Sequence, residues 1–481
     1  MPISVPRESG KAGYAYTIIA WAGLIPFILM FIVPLVLYGG KINIRTVDGV
    51  YGLATGDLLD ALFVFASWIV IAIAFAGAGA KLFPKTGDAA YWSRTQLNRV
   101  FLYLSVVGGG FFVVHQLVIF TPALENLVHL ASMVAYWALG LGLCLVFDPR
   151  QDVRGDFWGF SLFLTIVIFL VLTLLPIVLG KAAGVASAAM VVVVALYLIK
   201  ARLATKVAAI LCVGFLVAAS MAMKPTLREV FYEGRVYQRI AWSLLINTPE
   251  AKHTPEAKGT DRAINRTMAQ ITDSLANNRN EFPDYDQNLG NIILPREMLG
   301  EHLQYSVARI GHRLNHLGLL GHVIVSTPGM VPYWGGATYK PILSVPIPRA
   351  VWPEKPRMES ANRFGREYKL LWPDDGVTTV NIDPVTEAWM NGGWLAVLFS
   401  SAGIGLFFGG VLGWLRSGGD QHIRFLAALT VVLHVALFES ETALIIGGLI
   451  QGLLFLGVII IGARLLVWWR SPVPARATRT S

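Results

Sequence analysis

At 481 residues with 55% hydrophobic and only 14% charged side chains, the chain is far more apolar than a soluble domain of its size requires. Its charges crowd into short segments between long uncharged runs, the pattern of helices in lipid joined by hydrated loops, which excludes a water-soluble globular class. The net charge of +9 therefore reads as a membrane-orienting surplus, with no nucleic-acid partner, and Cys144 and Cys212 both fall in apolar runs that offer no disulfide or cysteine metal site.

Taken in order, apolar runs long enough to cross a bilayer lie near 16–38, 58–80, 100–120, 126–147, 158–180, 182–199 and 206–223. The first is read as a retained anchor and not a cleaved leader, being longer than an apolar signal core. Three more follow near 394–415, 423–438 and 442–463, the middle one short. The expected fold is all-α, a polytopic membrane helical bundle of about ten transmembrane helices with one large, partly helical loop. This divides the chain into an N-terminal membrane region (1–223, about seven spans), the loop (224–393) and a C-terminal membrane region (394–481, about three spans and a tail).

Orientation follows from lysine and arginine, because basic loops resist transfer across the inner membrane. With both termini cytoplasmic, 17 basic residues fall on the cytoplasmic side, only Lys41, Arg45 and Lys181 in short outer loops, and 19 in the large loop. Seven preceding spans put that loop outside, on the periplasmic face of a bacterial inner membrane.

The loop carries 19 basic and 18 acidic residues over about 170 positions, too much for a connector, so at least part of it must fold. Residues 247–287 are polar and turn-rich and read as a solvated excursion. In EHLQYSVARIGHRLNHLGLL (301–320), Leu303, Val307, Ile310, Leu314 and Leu317 form a helical stripe, with Arg309, His312, Arg313 and His316 on the polar side. Such a helix could lie on the bilayer with snorkelling arginines; it could also use the paired donors of arginine to hold a lipid-linked phosphate or pyrophosphate. Further on, IPRAVWPEKPRMESANRFGRE gathers Arg349, Lys355, Arg357, Arg363 and Arg366 around Pro346, Pro348, Pro353 and Pro356, a stiff basic segment that loses little entropy on ordering; as a bare pattern it could equally cap the bundle.

Other chemistries fit worse. Asp284-Tyr285-Asp286 is an isolated DxD with no nucleotide fold around it. His312 and His316 have the i, i+4 spacing of a zinc helix but lack the glutamate and a third ligand, so no metal is expected. No glycine-rich phosphate loop follows a strand, and no cofactor is expected. Polar residues within the spans are few (His115, Gln116, His129, His434, Gln451), and isolated histidines of this kind are ordinarily bonded to a neighbouring helix; Glu439 and Glu441 stand where they could rim an outer site.

The stretch 305–400 resembles the Wzy-type oligosaccharide repeat-unit polymerases of O-antigen and exopolysaccharide assembly. The resemblance rests on an arginine-bearing helix, then GGATYKPILSVPIPRAVWPEKP, NRFGREYKLL, and a threonine-rich segment leading into DPVTEAWMNGGWLAV. Asn391-Gly392-Gly393 stands where Asn-Phe-Gly is common in the family. The resemblance implies a membrane glycosyltransferase that polymerises undecaprenyl-pyrophosphate-linked repeat units at the periplasmic face. Its partners would be that lipid-linked glycan, the bilayer, a chain-length regulator and a flippase. It implies Arg309, Arg313, Arg349 and Lys355 as pyrophosphate-binding residues, and Glu387 as general base with His312, His316 and Asp383 behind it. An O-antigen-ligase-like transfer and a non-enzymatic lipid-linked glycan transporter are the alternatives.

Overall fold

The computed structural model describes residues 17–38, 41–83, 89–90, 92–117, 122–147, 157–178, 182–216, 315–348, 351–352, 354–355, 358–376, 378–417, 419–435 and 439–469. The helices are α1 (Thr17–Tyr38), α2 (Thr55–Lys81), α3 (Arg94–Leu117), α4 (Pro122–Phe147), α5 (Trp158–Val178), α6 (Ala182–Leu198), α7 (Leu203–Leu216), α8 (His316–Ser326), α9 (Ser360–Glu367), α10 (Pro384–Arg416), α11 (Gln421–Val435) and α12 (Thr442–Trp469). A 3-10 helix (Lys340–Leu343) and four short strands complete the regular elements of the described residues: a hairpin of β1 (Asn43–Thr46) and β2 (Gly49–Gly52), and a parallel pairing of β3 (Ala89–Ala90) with β4 (Gly419–Asp420).

A helix lies on each of the ten apolar runs, as a chain in lipid requires if its backbone groups are to bond within the segment. Among the described residues, six helices (α2, α3, α4, α5, α10 and α12) are long and apolar enough to cross a membrane. Within the bundle α4 is buried nearly all round, and Trp137, Leu139 and Leu141 on it are shut off from the surface. The chain is thus a helical bundle of membrane-protein character.

The tightest seam joins α2 to α10. Gly405, Gly409 and Gly413 stand against the backbone of Ala72, Ala76 and Ala80, and a Cβ at any of the three glycines would strike a main-chain oxygen of α2. This small-xxx-small matching lets the helix backbones meet where apolar side chains would gain nothing over lipid. Both series ascend together, so α2 and α10 run parallel and begin at the same end of the bundle. Trp68 Nε1 donates to Ser400 Oγ (3.0 Å) along the same seam.

That end also carries the β1–β2 hairpin and residues 315–383. Val47 N donates to the Lys369 carbonyl (2.7 Å), Lys369 Nζ pairs with Asp48 (2.5 Å), and Asn315 Nδ2 donates to the Asn43 carbonyl (3.2 Å). The segment has its own small apolar core of Leu319, Val323, Val331, Trp334, Phe364, Tyr368, Ile382 and Met390. At the opposite end, β3–β4 pairs the connection between α2 and α3 with the turn between α10 and α11. Asp420 there caps α11 through the His422 and Ile423 N–H groups while accepting from Trp92 Nε1 (2.6 Å) and Arg464 (3.0 Å).

The single helix expected over 301–320 is corrected. Asn315 is a non-helical N-cap (φ −78°, ψ 51°) whose Oδ1 accepts from Gly318 N at 3.1 Å, so α8 starts afresh at His316. An asparagine side chain that satisfies the first free N–H groups favours starting a helix over continuing one. His316 therefore does not share one unbroken helical face with Arg309, His312 and Arg313, which lie outside the described residues.

Candidate active site

The site begins with a cap. Asp383 precedes Pro384, whose fixed φ suits a first helical turn, and Asp383 Oδ1 accepts from Val385 N and Thr386 N (both 3.0 Å) to start α10. Its other oxygen accepts from Thr386 Oγ1 (2.7 Å) and lies 3.0 Å from His316 Nδ1 on α8. Four contacts fill the lone-pair sites of a carboxylate, so Asp383 is built to orient a neighbour and has no capacity left for an incoming hydroxyl. In the tautomer whose Nδ1–H donates to Asp383, the other ring nitrogen, Nε2, is the acceptor. The pair is buried, His316 at 5% and Asp383 at 0% exposure, and the Phe31 ring of α1 lies 6.2 Å from the imidazole.

One turn along α10 from Asp383, Glu387 is fully enclosed. Its Oε2 accepts from the Thr442 N–H at the start of α12 (2.7 Å), and the hydroxyls of Thr338 and Thr442 stand beside the carboxylate. Oε1 nonetheless meets no partner in hydrogen-bonding geometry. Asn391 Nδ2 donates to Thr338 Oγ1 (2.8 Å) and to the Glu387 carbonyl (2.7 Å).

Immediately after Asn391 the helix breaks. Gly392 and Gly393 leave helical geometry, Gly393 at φ 58°, where a side chain would be strained and would meet Tyr333 Oη at 2.7 Å. The carbonyls released at Met390 and Asn391 accept from Trp334 N and Gly335 N, each at 3.0 Å. The Gly392-Gly393 pair is therefore a kink between a short half-helix, 384–391, and the apolar run that follows.

Lys355 is buried, and its ammonium donates to the Val345 (2.9 Å) and Ile347 (3.0 Å) carbonyls, closing the proline-rich turn. Gln451 Nε2 of α12 donates to the same Val345 carbonyl (2.6 Å), and the Val345 side chain fills the groove at Gly447. Lys355 thus shapes the loop in which Arg349 falls; Arg349 itself lies outside the described residues. The structure brings His316, Asp383 and Glu387 to one end of α10. Lys355 is placed on the neighbouring loop, while Arg309, His312, Arg313 and Arg349 lie outside the described residues.

Glu441 borders this cluster. Its carboxylate takes the Ser360 hydroxyl on both oxygens (2.5 Å), and burial pushes its pKa above the usual carboxylate range, against the opposing pull of that hydroxyl. A folded pKa above the unfolded one gives stability that is present at acid pH and lost as pH rises through the folded value. The wild-type chain should therefore lose thermal stability on going upward from about pH 4.5, and Glu441→Gln should flatten that slope. Melting curves across pH 4–8 check this; an unchanged slope in the variant would exclude Glu441 as its source.

Sequence reasoning missed Thr338 and Thr442, which contact Glu387 only through folding. It also took the span histidines singly, whereas the rings of His115 and His129 lie 5.1 Å apart. His434 does bond locally, through Nδ1 to the Thr430 carbonyl of its own helix (2.8 Å). Among the described residues no group of three or more histidine, cysteine or acidic side chains is placed to hold a metal. Comparison with known proteins brings no relative to bear: no family model matches the chain, and no curated protein or solved structure is significantly similar to it.

Proposed function

We propose that the chain polymerises undecaprenyl-pyrophosphate-linked oligosaccharide repeat units at the periplasmic face of the bacterial inner membrane, in the manner of the Wzy-type polymerases. The observation that carries this is the buried His316–Asp383 pair, an oriented base at the end of the bundle where the proline-rich basic loop is anchored. The acceptor hydroxyl of a newly delivered repeat unit gives its proton to His316 Nε2 as its oxygen attacks the anomeric carbon of the growing chain. The bond from that carbon to the pyrophosphate oxygen breaks, and undecaprenyl pyrophosphate leaves. Asp383 stabilises the imidazolium formed. Arg309, Arg313 and Arg349 take the charge building on the leaving group, and Lys355 sets the loop that holds Arg349. Glu387, first choice on sequence grounds, and His316 are both buried; His316 is preferred here because Asp383 orients its ring.

The proposal includes ten spans, cytoplasmic termini and a periplasmic 224–393 loop. In support, the hairpin and residues 315–383 share one end of the bundle. Lys81, Arg94, Arg416, Arg424 and Arg464 belong to the other, as the lysine and arginine bias of cytoplasmic loops asks. One observation favours a second reading, a cation-coupled transporter of lipid-linked glycan: α10 is broken beside a buried carboxylate.

Deleting the gene in its host and resolving surface glycans and lipid-linked intermediates on gels tests the proposal. Loss of long polymer with single repeat units retained is expected. Long polymer accumulating on its lipid carrier would instead indicate a ligase, and an unchanged glycan profile would sink both.

A further inference from the structure

We infer that the oxygen cluster around Glu387 binds a hard monovalent cation, sodium. Three buried oxygens there lack a well-formed hydrogen bond: Glu387 Oε1, Asn391 Oδ1 and Thr442 Oγ1, whose hydroxyl stands beside the Glu387 carboxylate. Direct bonds hold their owners together, since Thr442 N donates to Glu387 Oε2 and Asn391 Nδ2 donates to the Glu387 carbonyl. An ionised carboxylate oxygen and an amide oxygen only accept, so with Glu387 charged neither can satisfy the other. Leaving both dry and unpaired is costly, and for the carboxylate the more so because Glu387 has no ion-pair partner among the described residues.

When ionised, Glu387 offers the site a carboxylate oxygen, whereas both Glu441 oxygens are bonded by Ser360, so a single carboxylate faces the ion and a monovalent cation matches it. The oxygen-only donor set suits a hard ion and not a transition metal.

The test needs no glycan assay and stands or falls apart from the polymerase reading. The full chain is purified in detergent, and its thermal unfolding is followed in sodium, potassium and choline chloride at equal ionic strength. Sodium should raise the melting temperature in a saturable way that choline does not reproduce. Thr442→Ala keeps the backbone bond to Glu387 and removes one oxygen, and should move the sodium midpoint upward about tenfold; Glu387→Gln should abolish the response. Equal melting temperatures in all three salts would overturn the site, as would a sodium response untouched by both substitutions. Potassium replacing sodium fully would overturn the choice of ion.

Discussion

Replacing His316 with glutamine is expected to cut glycan transfer by about 10²–10⁴-fold, the usual worth of a positioned general base. Glutamine approximates the volume and can still donate to Asp383 Oδ2, so the capped start of α10 survives and protein level should stay normal. The loss should fall on kcat, and the limb of the pH–rate profile that reports the base should vanish with it. Asp383→Ala is a poorer probe. Asp383 also caps α10, and its removal adds about 1 kcal/mol of helix destabilisation to any catalytic effect. Full-length polymer made at a normal rate by His316→Gln would remove the histidine from the reaction.

The largest structural effect is expected at Gly409. A leucine there would drive its Cβ into the Ala76 carbonyl of α2, a backbone atom that cannot swing aside, at a cost of about 3 kcal/mol or more. Loss of folded protein from the membrane fraction should follow. Gly403→Leu serves as the matched control: it lies on the same helix with nothing within 4 Å of an added Cβ, and should be accepted. Equal yields and melting temperatures for the two variants would show that the seam does not depend on backbone approach.

Much of the bundle was legible because apolar runs long enough for a bilayer leave the backbone one local solution, and helices stand on all ten. Side-chain periodicity was a weaker guide. The stripe through 301–320 continues past Asn315 without a visible interruption, yet the cap there depends on a side-chain bond to Gly318 that periodicity does not register. The spacing Gly405-x3-Gly409-x3-Gly413 was present to be read, but its meaning rests on Ala72, Ala76 and Ala80, far away in the chain. Lys355, expected to meet the pyrophosphate, donates to two loop carbonyls, contacts that its charge alone does not foretell; a proline turn presents carbonyls that an ammonium can close upon. For Glu387, position relative to Asp383 was visible, whereas enclosure by Thr338 and Thr442 arises only when the loop and α12 converge.

The parallel seam between α2 and α10 also bears on how the chain assembles. Trp68 and Ser400 are 332 residues apart in sequence. During synthesis α2 therefore enters the bilayer long before the helix it matches exists, and its small-residue face must wait against lipid or a transient neighbour. The N-terminal helices cannot reach their final packing as an independent unit. Two separately expressed halves, divided within the large loop, would each insert but gain full stability only when made together.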